Sequence, residues 1–168
     1  MKRIGILGDI GSGKTYIAKC FGFPVFNADL EVAKIYKNNR KVFQKLKNEL
    51  PNYFDAFPIK KKEIIDAILS NRKNLKKIIK IVHHEVRKKL NDFLRKNKHK
   101  KLVVLDIPLL LENKINKKKD ILIFVDSRKI EILRRLKKRK NFNMHLLRHF
   151  RKIQLPLDKK KNNAKFII

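Results

Sequence analysis

Eight residues near the start of the chain, Gly8-Asp9-Ile10-Gly11-Ser12-Gly13-Lys14-Thr15, constrain the fold more than any other feature. They fit G-x-x-x-x-G-K-[ST], a pattern with physical meaning only between a strand and a helix. That setting is present. Arg3-Ile4-Gly5-Ile6-Leu7 carries a short apolar run that reads as a buried strand. Lys14 to Phe21 reads as a helix with Ile17, Ala18 and Phe21 on one side. In such a turn Gly11 and Gly13 permit positive φ, which brings backbone N–H groups against phosphate oxygens. The helix start aims its positive dipole end at the same anion. The Lys14 ammonium can reach β- and γ-phosphates, and the Thr15 hydroxyl can ligate Mg²⁺. The pattern points to a nucleoside triphosphate and leaves the acceptor open.

The rest of the chain alternates strands and helices. Pro24-Val25-Phe26 reads as a second strand, and Ala28 to Tyr36 as a helix offering Leu30, Val32, Ala33 and Ile35 to a core. Leu75, Ile78, Ile79, Val82, Val86, Leu90, Phe93 and Leu94 form a stripe at three- and four-residue spacing, the signature of a long amphipathic helix. Asn52 to Pro58 reads as a loop with exposed aromatics. Leu102-Val103-Val104-Leu105 and Ile121-Leu122-Ile123-Phe124-Val125 are continuous apolar runs, as expected of strands covered on both faces. Ile130, Leu133 and Leu136 mark a helix, and Asn143 can cap the next one. Lys165 to Ile168 reads as a last strand. This order predicts an α/β fold with a parallel sheet.

Composition sets the class. A chain of 168 residues with 43% apolar content can bury a core without disulfides or metal. The single cysteine, Cys20, excludes an internal disulfide and fits a reducing cytoplasm; it is expected to be buried in its helix. No apolar run approaches membrane-spanning length, and Gly5 and Gly8 come too early for a signal peptide. Cytoplasmic localisation without a membrane partner is expected.

The formal net charge of +30 points to polyanionic partners. It has a plainer source too. The chain holds 34 Lys, 15 Asn and 21 Ile, a bias that reads as coding composition acting on solvated faces. Lys60-Lys61-Lys62, Lys117-Lys118-Lys119 and Lys159-Lys160-Lys161 lack interleaved aromatics and do not form a single-strand stacking platform. His83, His84 and Cys20 do not make a metal site.

Two carboxylates stand at predicted strand ends. Asp29 follows the second strand, where it can accept a proton from an attacking hydroxyl or cap the helix it opens. Asp106 ends the third strand after four apolar residues, the position of a magnesium-holding aspartate or of a turn-starting one. Glu112, taken by itself, reads as structural.

At this point the chain resembles the dephospho-coenzyme A kinase family over nearly its whole length. Gly11-Ser12-Gly13-Lys14-Thr15 resembles the family's phosphate loop, and Val25-Phe26-Asn27-Ala28-Asp29 its "v-i-D-A-D" segment. His83 with Val86 and Arg87 resembles "H-P-x-V-r". Asp106-Ile107-Pro108-Leu109-Leu110-Leu111-Glu112 resembles "d-i-P-L-L-f-E". Val125-Asp126, Arg135, Arg139 and Gln154 resemble the lid pattern, and Ala164 to Ile168 the "A-D-f-v-I" strand. Four positions depart from it: Asn27 for Asp, His84 for Pro, Ile132 for a frequent Gln, and Lys165 for Asp. The departure at His84 predicts a different start to the long helix.

The resemblance implies a three-layer α/β phosphate-loop kinase domain with a five-stranded parallel sheet. Residues 1–35, 100–138 and 155–168 would form the nucleotide-binding core, 36–99 a helical acceptor-binding insertion, and 139–154 a lid. It implies transfer of the γ-phosphoryl of ATP to the ribose 3′-hydroxyl of dephospho-coenzyme A. Asp29, Lys14 and Arg139 would be catalytic. Gly11, Ser12, Gly13, Lys14, Thr15 and Tyr16 would hold ATP. Asp29, His83, Pro108, Leu109 and Glu112 would hold the acceptor. Thr15, and Asp106 through water, would hold Mg²⁺. No specific nucleic acid partner is expected, and the protein is expected to be a monomer or weak homo-oligomer. The alternatives from other classes are another phosphate-loop small-molecule kinase and a non-catalytic basic nucleic-acid-binding relative.

Overall fold

A computed structural model describes residues 1–139 and 142–168. Residues 140 and 141, in the basic run at the start of the expected lid, lie outside the described residues. Five strands, β1 (Lys2–Gly8), β2 (Val25–Asn27), β3 (Leu102–Asp106), β4 (Ile121–Val125) and β5 (Phe166–Ile167), form one sheet in the order β2-β3-β1-β4-β5. Every pairing is parallel, as predicted. The helices are α1 (Lys14–Cys20), α2 (Ala28–Asn38), α3 (Arg40–Glu49), α4 (Lys61–Ser70), α5 (Arg72–Lys96), α6 (Lys129–Lys137), α7 (Met144–Ile153) and α8 (Leu157–Asn162).

Contacts divide the chain into two compact units, Met1–Ala28 with Phe93–Ile168, and Asp29–Asp92. The first holds the whole sheet. On one face Ile4 and Ile6 pack with Val104, Ile123, Val125 and Ala18, and Ile17 and Phe21 of the α1 side close over them. On the other, Leu7, Val103, Leu105, Leu122 and Phe124 are equally buried. Burial on both faces is why these strands read as unbroken apolar runs instead of alternating ones. Buried Arg3 pairs with Asp120 at 2.8 Å and donates to the Ile115 carbonyl, which ties the β3–β4 connection to β1.

The expected burial of Cys20 is corrected by its position. It is the last residue of α1 and faces solvent, while Ala18 occupies the buried position of that turn. Asn143 caps α7 as predicted, accepting from the Leu146 N–H at 3.0 Å.

The second unit is helical. The predicted stripe runs along α5, with Leu75, Ile78, Val82, Val86 and Leu90 buried. His84 lies well inside this helix. α5 begins at Arg72 and runs through His84 without a break, because histidine retains the backbone N–H that proline lacks. Buried Asn74 donates to the Ala67 carbonyl at 2.9 Å, which joins the end of α4 to the first turn of α5. Of the residues that α2 offered to a core, Ile35 is buried and Leu30 is exposed.

The loop at 52–58 is also corrected. Phe54 is fully buried, and Tyr53 and Phe57 are half-buried. The chain returns on itself there: Ile59 N–H donates to the Tyr36 carbonyl at 3.1 Å, and the Phe43 and Phe57 rings lie 5.9 Å apart. A loop without an apolar period gives no sign of which aromatic turns inward.

Candidate active site

β1 delivers the chain into the phosphate loop at the C-terminal edge of the sheet. Gly13 has φ +100° and precedes the first residue of α1, a left-handed conformation that a side chain would strain. Gly11 has φ +88°, and a Cβ there would lie 2.9 Å from Leu136 Cγ. The loop is therefore shaped by its own backbone and closely covered by α6. Ile10 and Phe142 pack on the cluster of Ile132, Leu136 and Leu147, which joins the loop to α6 and α7. This accounts for the departure at Ile132, since the position is buried among aliphatic side chains.

Lys14 is buried and donates through Nζ to the carbonyls of Asp9 at 2.6 Å and Gly8 at 3.2 Å. The Ser12 carbonyl accepts from Ser127 Oγ at 2.8 Å and from the Arg135 guanidinium at 3.1 Å. Ser12 Oγ is buried and makes no hydrogen bond among the described residues. Asp9 Oδ1 accepts from the Ile10 N–H at 2.7 Å, and its Oδ2 pairs with Arg151 of α7 at 2.7 Å.

The β2–β3 register sets Asn27 opposite Asp106. Asn27 Nδ2 donates to Asp106 Oδ2 at 2.5 Å, and Thr15 Oγ1 donates to the same oxygen at 2.6 Å. Asp106 is 3% exposed. An amide at position 27 meets this carboxylate as a donor, whereas an aspartate would meet it as a like charge.

Glu112 uses one carboxylate oxygen within its own unit, while its Oε2 is buried and makes no hydrogen bond among the described residues. Its Oε1 lies 2.8 Å from Lys160 Nζ and accepts from the Leu155 N–H at 2.8 Å. Lys160 is 1% exposed and also donates to Gln154 Oε1 at 3.1 Å. Pro108 and Leu109 are half-buried just past β3. Tyr16 and Arg139 are exposed, the latter just beyond the end of α6.

In the helical unit Asp29 is an exposed residue in the first turn of α2, inside the helix and not before it. His83 is half-buried on α5. Two residues further along, a hydrogen bond from Lys88 holds the Glu85 carboxyl below its ordinary range. Burial pushes the Tyr36 phenol well above its own.

Within the first unit the structure thus brings Ser12, Lys14, Thr15 and Asp106 to one edge of the sheet. Sequence reasoning missed Asp9, Arg151, Ser127 and the role of Asn27. Asp9 alone carried a local signal, a carboxylate inside an anion-binding loop that calls for a counterion.

The family model described as "Dephospho-CoA kinase" matches residues 2–168. A dephospho-CoA kinase of the Wolbachia of Brugia malayi is 32% identical over 170 residues, covering 98% of this chain and 87% of its own. The crystal structure of TT1252 from Thermus thermophilus superposes with a TM-score of 0.78 at 27% identity, covering 99% of this chain and 86% of that one. Dephospho-CoA kinase from Campylobacter jejuni shares the fold, with a TM-score of 0.63 at 24% identity over 100% of this chain and 88% of that one. With the phosphate loop, the Thr15–Asp106 contact and the parallel sheet all present, the chain belongs to the dephospho-CoA kinase family of phosphate-loop kinases.

Proposed function

We propose that the protein transfers the γ-phosphoryl group of ATP to the 3′-hydroxyl of the ribose of dephospho-coenzyme A, giving coenzyme A and ADP. The observation that carries this reading is the meeting of Lys14, Thr15 and Asp106 at the C-terminal edge of the sheet. Family membership over residues 2–168 supports the choice of acceptor.

The donor set suits the reactants. The loop presents backbone N–H groups through glycines of positive φ, and the Ser12 hydroxyl has hydrogen-bonding capacity left over. Thr15 and Asp106 offer hard oxygens 2.6 Å apart, the chemistry that Mg²⁺ prefers. Bound there, Mg²⁺ would neutralise charge building on the β- and γ-phosphates.

The protein's own groups do the rest. Lys14 exchanges its two carbonyl acceptors for phosphate oxygens, so its charge meets the transferring group without a new desolvation step. Asp29, two residues past Asn27 in the chain, orients the acceptor hydroxyl and takes its proton on a carboxylate oxygen. Arg139 closes on the phosphates from the lid and excludes water. The helical unit, with His83, binds the acceptor. Pro108, Leu109 and Glu112 also serve the acceptor, and Glu112 Oε1 pairs with Lys160. A net charge of +30 draws polyanionic reactants toward the surface.

ADP release is measured with dephospho-coenzyme A beside AMP, dTMP and shikimate as acceptors. Turnover with the first is expected to exceed the others by orders of magnitude. A preference for any of the others overturns the choice of acceptor. Tight, salt-sensitive binding to DNA or RNA with no ADP release would favour a nucleic-acid-binding relative instead.

A further inference from the structure

The ion pair between Asp9 and Arg151 has no part in the chemistry above. Asp9 is the second residue of the phosphate loop and is 8% exposed. It sets a carboxylate where a polyphosphate must approach. Its two oxygens are fully engaged, Oδ1 by the Ile10 N–H and Oδ2 by Arg151, each at 2.7 Å. Its carbonyl is the nearer acceptor of Lys14. Arg151 lies 142 residues further along the chain, on α7, the helix of the expected lid. α7 also touches the loop through Leu147, whose cluster receives Ile10. The helix therefore meets the loop twice, once through apolar packing and once through charge.

A bare carboxylate beside the loop would oppose a triphosphate, because like charges repel strongly where water is excluded. We propose that Arg151 is a positioning residue for nucleotide binding: it neutralises Asp9 and clasps α7 to the phosphate loop, so that the loop accepts a polyphosphate despite its own carboxylate. This rests on the reading of the loop as a nucleotide site.

The dissociation constant of Mg-ADP is measured by calorimetry for the full chain and for Arg151→Gln, Arg151→Lys, Asp9→Asn and the Asp9→Asn/Arg151→Gln pair. Thermal melts are recorded in parallel, together with KM for ATP and for the acceptor. Arg151→Gln is expected to weaken Mg-ADP about tenfold or more and to raise KM for ATP in step, leaving KM for the acceptor within about threefold. Arg151→Lys keeps the charge and most of the affinity. Asp9→Asn tightens binding, and the double variant returns to within about threefold of the unaltered protein.

That rescue separates charge neutralisation from a merely structural contact, which the second substitution would not restore. A double variant as weak as Arg151→Gln, or an Arg151→Gln that binds as the unaltered protein does, overturns the proposal. Should Arg151→Gln fail to fold, a loss of affinity in Asp9→Asn overturns it equally. If the unaltered protein binds no Mg-ADP, the nucleotide reading itself fails, and that result is distinct from all the others.

Discussion

Thr15 and Asp106, 91 residues apart in sequence, are joined by a hydrogen bond of 2.6 Å between the threonine hydroxyl and the aspartate carboxylate. One comes from the first turn of α1 and the other from the last residue of β3, so the sheet aligns them. Asp106→Ala is expected to lower kcat by on the order of 10²–10³, since a metal clamp supplies several kcal/mol of charge stabilisation. Magnesium titration of ADP release checks it. The half-saturating concentration must rise in the variant, and an unchanged value would remove Asp106 from the metal site.

Lys14→Ala should abolish most turnover, by about 10²–10³-fold, and leave the fold intact. The lysine serves carbonyls of its own loop, and that of Asp9 also accepts from the Ser12 N–H at 3.2 Å. Circular dichroism separates the two effects. Loss of the melt along with the rate would make Lys14 a structural residue.

Asp29→Asn should cut the rate by about 10²–10⁴ if the carboxylate takes the proton, with KM for ATP little changed. A loss below tenfold would reduce Asp29 to an orienting group.

Lys160→Met leaves the Glu112 carboxylate buried without its cation. Breaking a buried pair from one side costs about 3–5 kcal/mol. At about 2–4 °C per kcal/mol for a domain of this size, the melting temperature should fall by roughly 10 °C. The paired change Glu112→Gln/Lys160→Met should recover part of it. A melt unchanged in the single variant would contradict the burial of this pair.

Gly11→Ala tests the cover over the loop. Its Cβ would lie 2.9 Å from Leu136 Cγ at a φ of +88°, and such strain costs about 1–3 kcal/mol. Both the melting temperature and the nucleotide affinity should drop.

Much of this was legible in the chain. The phosphate loop is a contiguous motif whose glycines encode backbone geometry directly. β3 and β4 declared themselves because a doubly covered strand has no polar face. The long stripe of α5 was readable because one face of one helix meets one core. What escaped were pairings set by topology. Nothing near Asp9 announces Arg151, and nothing near Glu112 announces Lys160. Asn27 stands in the sequence only as a departure from Asp, and it is the register that sets it against Asp106. Phe54 and Cys20 were misplaced for a related reason: short segments lack the period from which burial is inferred.

Ile10 belongs both to the loop and to the apolar cluster beneath α6 and α7. The loop amides and those of α7 are therefore expected to exchange with solvent as one cooperative patch, neither opening while the other stays shut. A ligand that quiets the first would quiet the second without touching it.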